Sequence, residues 1–213
     1  DTEQLQQQFD LDSPCKALLH KYAVSMSPLE YAHVLLKKSQ AKTVLDCRIE
    51  SLEKRDDGWI LKDENGAEYE HDCVVICSAA DTAKFSQTDH LPIRRTRGQV
   101  LHLKKEDLLK EPTVGLNFVN YLVRDSEDNY VLGATFQPDD EGTEVRPEDS
   151  QKLIDSFNEI FPGFLRDDID VEKTPGRVCF RAMQKDHFSI YGAAPDAAAY
   201  RELYSTIKHG KPN

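Results

Sequence analysis

The sequence predicts an α+β fold: a mostly antiparallel sheet with covering helices, joined to a small three-stranded β-meander. Three observations predict it. FVNYLVRD and YVLGATF flank Ser126-Glu127-Asp128-Asn129, so two strand-like runs are joined by turn residues as a hairpin. Asp56-Asp57-Gly58 and Glu64-Asn65-Gly66 divide the stretch from Thr43 to Glu70 into three short strands, Asn-Gly being suited to positive φ. Between Glu148 and Phe161, Leu153, Ile154, Phe157, Ile160 and Phe161 form the apolar stripe of a helix, which Pro162-Gly163 ends.

The other elements follow in chain order. Asp1 to Lys21 reads as one or two short helices. Ser27-Pro28-Leu29-Glu30 has the form of a capping box with proline at the first helical position, so a helix runs to about Lys38. Thr43 to Lys54 is the first meander strand, with Val44, Leu45, Ile49 and Leu52 as its apolar residues. WILKD is the second and Ala67 to Glu70 the third. DCVVICSAAD, Asp72 to Asp81, reads as a strand buried on both faces, as in a parallel sheet, and its simplest role is an ordinary core strand.

Polar residues from Thr82 to Pro92 precede RRTRGQVLHL, which opens a new strand. The expected organisation is therefore residues 1–90, residues 91–196 and a polar tail, 197–213. The main sheet is expected from strands near 97–103, 118–124, 130–136 and 177–183. In the last of these, Val178, Phe180 and Ala182 alternate with Cys179, Arg181 and Met183. A guanidinium on that second face is either solvated or aimed at an anion.

Composition removes several classes. The chain of 213 residues is 39% hydrophobic and 31% charged, and no apolar run approaches a membrane span. DTEQLQQQFD is too polar for a signal peptide, and the missing initiator Met is what a piece of a longer protein would show. Cys15, Cys47, Cys73, Cys77 and Cys179 contain no C-x-x-C, which fits reduced thiols in a cytoplasmic protein. The histidines are dispersed, and His71 with Cys73 is no ligand set, so no metal is expected. A net charge of −11 disfavours broad electrostatic binding of nucleic acid, the only compact basic cluster being Arg94, Arg95 and Arg97.

Taken in order, these pieces resemble the FAD-dependent amino-acid oxidase family of glycine, sarcosine and D-amino-acid oxidases. The residues that carry the resemblance are the meander and small-residue strand from Thr43 to Ala80, Arg97-Gly98-Gln99, Tyr121 with Gly133-Ala134-Thr135, and Arg181, Asp186, Gly192 and Pro195. RAMQKDHFSIYG is most similar to one branch, the oxidoreductase half of bacterial bifunctional enzymes that build 5-methylaminomethyl-2-thiouridine in tRNA. The resemblance covers roughly residues 22 to 196. Residues 1–90 then become part of an FAD-binding domain, with the meander as its remnant, and 91–196 the substrate domain. One departure stands out. The family opens with a strand–GxGxxG–helix unit that holds the FAD pyrophosphate, yet no two of the ten glycines here stand one residue apart. The family's Gly-rich return to the flavin is also missing after Pro195, so the chain is expected to be an internal fragment with weak or absent FAD binding of its own.

The resemblance implies flavin-dependent oxidation of a C–N bond beside a carboxylate. It makes Arg181 the carboxylate clamp, a planar fork able to bind two oxygens at once. Tyr121 becomes a substrate-pocket phenol, its other reading being a cross-strand packing aromatic. Arg97 and Gln99 match positions near the flavin, and Asp186 and His187 brace the turn after the strand. No catalytic base is assigned. The branch implies 5-carboxymethylaminomethyl(-2-thio)uridine at the tRNA wobble position as substrate, with a SAM-dependent methyltransferase domain in the same polypeptide. Two alternatives remain open: an oxidase of free glycine, sarcosine or a D-amino acid, and a non-enzymatic interaction module.

Overall fold

The structure is a computed structural model and describes residues 1–205. Residues 206–213, the end of the expected polar tail, lie outside the described residues. The chain forms two compact units. One comprises Asp1–Ala41 with Thr96–Phe180, the other Lys42–Arg95 with the chain from Arg181 onward.

The sheet of the first unit is built on β4 (Arg94–Lys104), its longest strand. β5 (Leu116–Asn117), β6 (Tyr121–Arg124), β7 (Asn129–Gly133) and β8 (Gln137–Pro138) complete the order β5-β6-β7-β4-β8, and β9 (Gly176–Met183) also pairs with β4. The β6–β7 hairpin is antiparallel, with Tyr121 opposite Gly133 and Leu122 opposite Leu132. β7 in turn pairs antiparallel with β4, Leu101 opposite Leu132 and Leu103 opposite Tyr130. With period-2 alternation, Leu101, Leu103, Leu122 and Leu132 share one face, and all are fully buried.

Helix α3 (Pro147–Ile160) covers that face with Leu153, Ile154 and Phe157. Phe157 is the hub. Its ring stands 5.1 Å from Phe161, 5.5 Å from Phe164 and 5.7 Å from Phe118, the last two edge to face. Helix α1 (Thr2–Phe9) packs Leu5 and Phe9 against the same core, and Leu11 after it is buried. Lys110 fastens this segment through Asp10 and Asp12. Of the one or two helices expected before Lys21, α1 is the one that forms. Helix α2 (Pro28–Ser39) starts where its cap predicts, the Ser27 hydroxyl accepting from the Glu30 N–H.

The second unit contains the meander: β1 (Ile49–Arg55), β2 (Gly58–Asp63) and β3 (Glu68–His71), antiparallel throughout. Asp63 organises its second turn. One carboxylate oxygen accepts from the Asn65 and Ala67 N–H groups and the other from the Tyr69 hydroxyl. The Ala67 N–H is the main reason the Asp63 carboxyl lies below its usual range. Gly66 takes φ 79°, the left-handed conformation expected of Asn-Gly. A short helix, α4 (Ala197–Leu203), lies within the expected polar tail.

Two sequence expectations need correction. The first meander strand begins at Ile49, not Thr43, and the residues of DCVVICSAAD form no strand, 73–78 being irregular. Val44, Leu45 and Val75 are exposed. An apolar run becomes a strand only when a neighbour takes up its backbone hydrogen bonds, and among the described residues no strand pairs with either segment. Together they line an open groove of about 940 Å³ floored by Leu52 and Leu61.

The central position of Phe157 sets an expectation for stability. Phe157→Ala should cost about 3–5 kcal/mol, read as a fall in the urea midpoint at unchanged slope.

Candidate active site

Arg97 and Gln99 occupy alternate positions on β4, on the same face as Leu101 and Leu103. That face is buried, so both polar side chains enter the core beneath the start of α3. Each is fully buried. The Arg97 guanidinium has five N–H donors, and all five are engaged. Nε donates to Gly142 O at 2.9 Å, and Nη1 to Gln137 Oε1 at 2.5 Å and Asp149 Oδ2 at 2.8 Å. Nη2 donates to Gln99 Oε1 at 3.1 Å and Glu144 O at 2.6 Å. The Gln99 amide is equally occupied. Its Nε2 donates to Arg146 O and Ser150 Oγ, and its Oε1 also accepts from Arg146 N.

This node ties three pieces together: the strand, the acidic loop from Asp139 to Arg146, and the first turn of α3. Asp149, 1% exposed, receives Arg97 on one oxygen and Gln137 and Lys152 on the other. Burial pushes its carboxyl up, but hydrogen bonds from Gln137, Lys152 and Arg97 prevail and hold it below its ordinary value. The loop is closed again by Arg146, which grips Asp140 with both terminal nitrogens. Arg146, helped by the Gly142 N–H, brings the Asp140 carboxyl down to about 2.

The direct flavin contact expected of Arg97 and Gln99 is therefore not one their side chains can make by hydrogen bonding, because no donor is left over. Their side chains instead tie β4 to the acidic loop and to the first turn of α3. The signal was in the sequence: an Arg and a Gln two apart, in phase with buried leucines, must find buried partners. Their partners Gln137, Asp149 and Ser150 lie tens of residues away in the chain, and nothing local marks them.

Tyr121 sits on the other face of the sheet, half-buried. Its ring tip lies against Gly133 and beside Val100. The structure thus brings together Tyr121 and the Gly133-Ala134-Thr135 segment, and it joins that segment to Gln99 through the bond from Gln99 N to Thr135 Oγ1. Arg181 lies near the end of β9, exposed, and belongs to the second unit, as Tyr121 belongs to the first. Asp186 and His187 form the turn after β9: Asp186 Oδ1 accepts from Phe188 N, and His187 N donates to Gln184 O. Among the described residues no cluster of His, Cys, Asp and Glu could hold a metal.

The chain belongs to the FAD-dependent oxidoreductase family, whose model matches residues 1–212. Among its relatives is the tRNA 5-methylaminomethyl-2-thiouridine biosynthesis bifunctional protein MnmC of Shewanella frigidimarina, 31% identical over 195 residues. That match takes in 86% of this chain and 27% of the relative. The protein of the same name from Methylobacillus flagellatus is 30% identical over 182 residues, covering 85% of this chain and 28% of its own length. The chain thus spans about a quarter of the length of these curated relatives. Glycine oxidase from Geobacillus kaustophilus has the same fold at a TM-score of 0.54 and 18% identity, over 70% of this chain and 40% of that one. Iminodiacetate oxidase from Chelativorans aligns at 0.52 and 19%, over 74% and 42%.

FAD pyrophosphate is held in such folds by a glycine-lined turn at a helix N-terminus. The four α-helices of the described residues begin at Asp1, Ser27, Arg146 and Asp196. At Asp1, Ser27 and Asp196 the residue's own side chain already accepts from first-turn N–H groups, and at two of these it is a carboxylate that would repel phosphate. The fourth, at Arg146, has no glycine turn and opens on Pro147, Glu148 and Asp149, so none of the described helix N-termini fits the pyrophosphate end of FAD.

The Arg97–Asp149 pair makes stability dependent on acid. With its folded pKa depressed, Asp149 contributes stability in full above the unfolded carboxylate value of about 3.9, and that stability is lost as pH falls through the lower folded value. Asp149→Asn should be less stable at neutral pH and show a flatter stability profile between about pH 5 and 2. Arg97→Met, which leaves Asp149 buried without its guanidinium, should cost about 3–5 kcal/mol in chemical denaturation.

Proposed function

We propose that this chain is the substrate-side part of an FAD-dependent oxidoreductase of tRNA modification. Its reaction is oxidative cleavage of the C–N bond of 5-carboxymethylaminomethyl(-2-thio)uridine at the wobble position. The observation that carries this reading is the 31% identity to the MnmC protein over 86% of the chain. The substrate is in effect a glycine attached to a base, and the residues suit it. Arg181 is the proposed clamp for its carboxylate, and Tyr121, on the first unit, is a proposed substrate-side phenol. A methyltransferase domain for the product amine, in the same polypeptide, and a cytoplasmic setting belong to the same proposal. No helix among the described residues is long and apolar enough to cross a membrane.

A second reading, oxidation of free glycine or sarcosine, is favoured by the net charge of −11, which gives this chain little attraction for tRNA phosphates. The two separate in one experiment. Nucleosides from tRNA of cells lacking the gene should accumulate the carboxymethylaminomethyl form. An unchanged nucleoside profile, together with amine oxidation of free glycine by the purified gene product, would replace the first reading by the second.

The clamp has its own test. In the complete gene product, Arg181→Lys should raise KM for the carboxylate-bearing substrate by about one to two decades, the loss of a charge-assisted two-point contact of roughly 1.5–3 kcal/mol. Unaltered kinetics would return Arg181 to a solvated strand position.

A further inference from the structure

Three residues form a row across neighbouring strands on the sheet face opposite the leucine core. β6 pairs Tyr121 with Gly133, and β4 pairs Val100 with Gly133. Gly133 is buried, and its missing side chain is filled by its neighbours. A Cβ there would stand 2.6 Å from Val100 Cγ1, 3.0 Å from the Tyr121 hydroxyl oxygen and 3.1 Å from Tyr121 Cζ. The phenolic end of the ring thus rests on the glycine. Among the described residues the Tyr121 hydroxyl has no hydrogen-bond partner, so a half-buried donor is held ready for something outside the chain.

The glycine cannot retreat to make room for a larger residue. Ala134 O accepts from Asn120 Nδ2 at 3.0 Å, and Asn120 is itself fixed by the Ser156 hydroxyl of α3 at 2.9 Å. Thr135 N donates to Gln99 O at 3.0 Å, and Gln99 N to Thr135 Oγ1 at 2.9 Å. Gln99 in turn is locked by Arg97 and Arg146. The segment is fastened on both sides of Ala134, and Val100 has the stiff χ1 of a β-branched residue. A Cβ at 133 would meet Val100 hardest, at 2.6 Å, and would also push the tyrosine tip, at 3.0–3.1 Å, outward by a few tenths of an ångström.

We infer that Gly133 is a positioning residue: its bare Cα is the seat that sets where the Tyr121 phenol meets the carboxylate of a bound amine. The carboxylate clause rests on the function proposed above, whereas the seat does not. It also gives the buried Arg97–Gln99 node a functional consequence, because that node anchors the far end of the seat.

The test uses the whole 213-residue chain, with tyrosine-selective labelling and NMR, and millimolar glycine as the carboxylate probe. In the wild type, Tyr121 ring protons should show cross-relaxation to the Gly133 α-protons, and ring signals should shift on adding glycine. Gly133→Ala should move the ring signals and weaken glycine binding about tenfold, but only about twofold or less when made in a Tyr121→Phe background. Gly133→Ala with Val100→Ala removes the tightest clash and protects the experiment against a misfolded single variant; the Tyr121 signals should stay displaced in it. Wild-type Tyr121 signals in either alanine variant, or equal losses of glycine binding in both backgrounds, would overturn the seat. Ring signals that respond to the variants as expected but never to glycine would support the seat and overturn the carboxylate reading.

Discussion

The buried Arg97 guanidinium is the constraint on which the first unit depends. An ionised group taken fully out of water is tolerable only when every donor is satisfied and a counter-charge is near. Here that requirement recruits a strand neighbour, an edge-strand glutamine, two loop carbonyls and a helix carboxylate. Meeting it fixes the path of the acidic loop and the approach of α3 to the sheet. Removal of any one partner leaves a buried donor without an acceptor, so the pieces cannot shift independently.

The consequence is a division of labour between the two faces of one sheet. The face under α3 is filled by leucines, the Phe157 cluster and the arginine node, with no polar atom of Arg97 or Gln99 left to reach a ligand. The opposite face presents Tyr121, half-buried, with its ring tip against Gly133. Rigidity on the first face carries through the backbone of residues 133–135 to the second, since Gln99 faces inward with its side chain while its backbone N–H and C=O hold Thr135.

Family membership narrows the chemistry without completing it. The relatives named MnmC match this chain in sequence and the solved oxidases match it in fold, yet each is much longer than the stretch aligned, and three of the four helix N-termini among the described residues are already filled by their own side chains. Under the proposed function, what these residues would contribute to oxidation of an amine is binding and orientation. Those are contributions of binding geometry, which is the part of flavin chemistry that protein residues supply.

The sequence by itself determined the elements whose causes are local. The Asn-Gly turn of the meander, the Ser27 cap with its proline, the four-residue turn of the hairpin and the stripe ended by Pro162-Gly163 each act through neighbours in the chain, and each formed where the residues predict. The order of motifs was enough for the family as well. Only the tertiary structure decided the rest. The run from Cys73 to Ser78 has the composition of a strand, but being a strand is a property of a pair, and no partner is present among the described residues. Arg97 and Gln99 have the composition of a ligand site, but Gln137, Asp149 and Ser150, with the backbone of Gly142, Glu144 and Arg146, take up the hydrogen bonds their side chains can make. Which donors remain for a ligand depends on contacts between residues some forty to fifty positions apart, and such contacts exist only once the chain has folded.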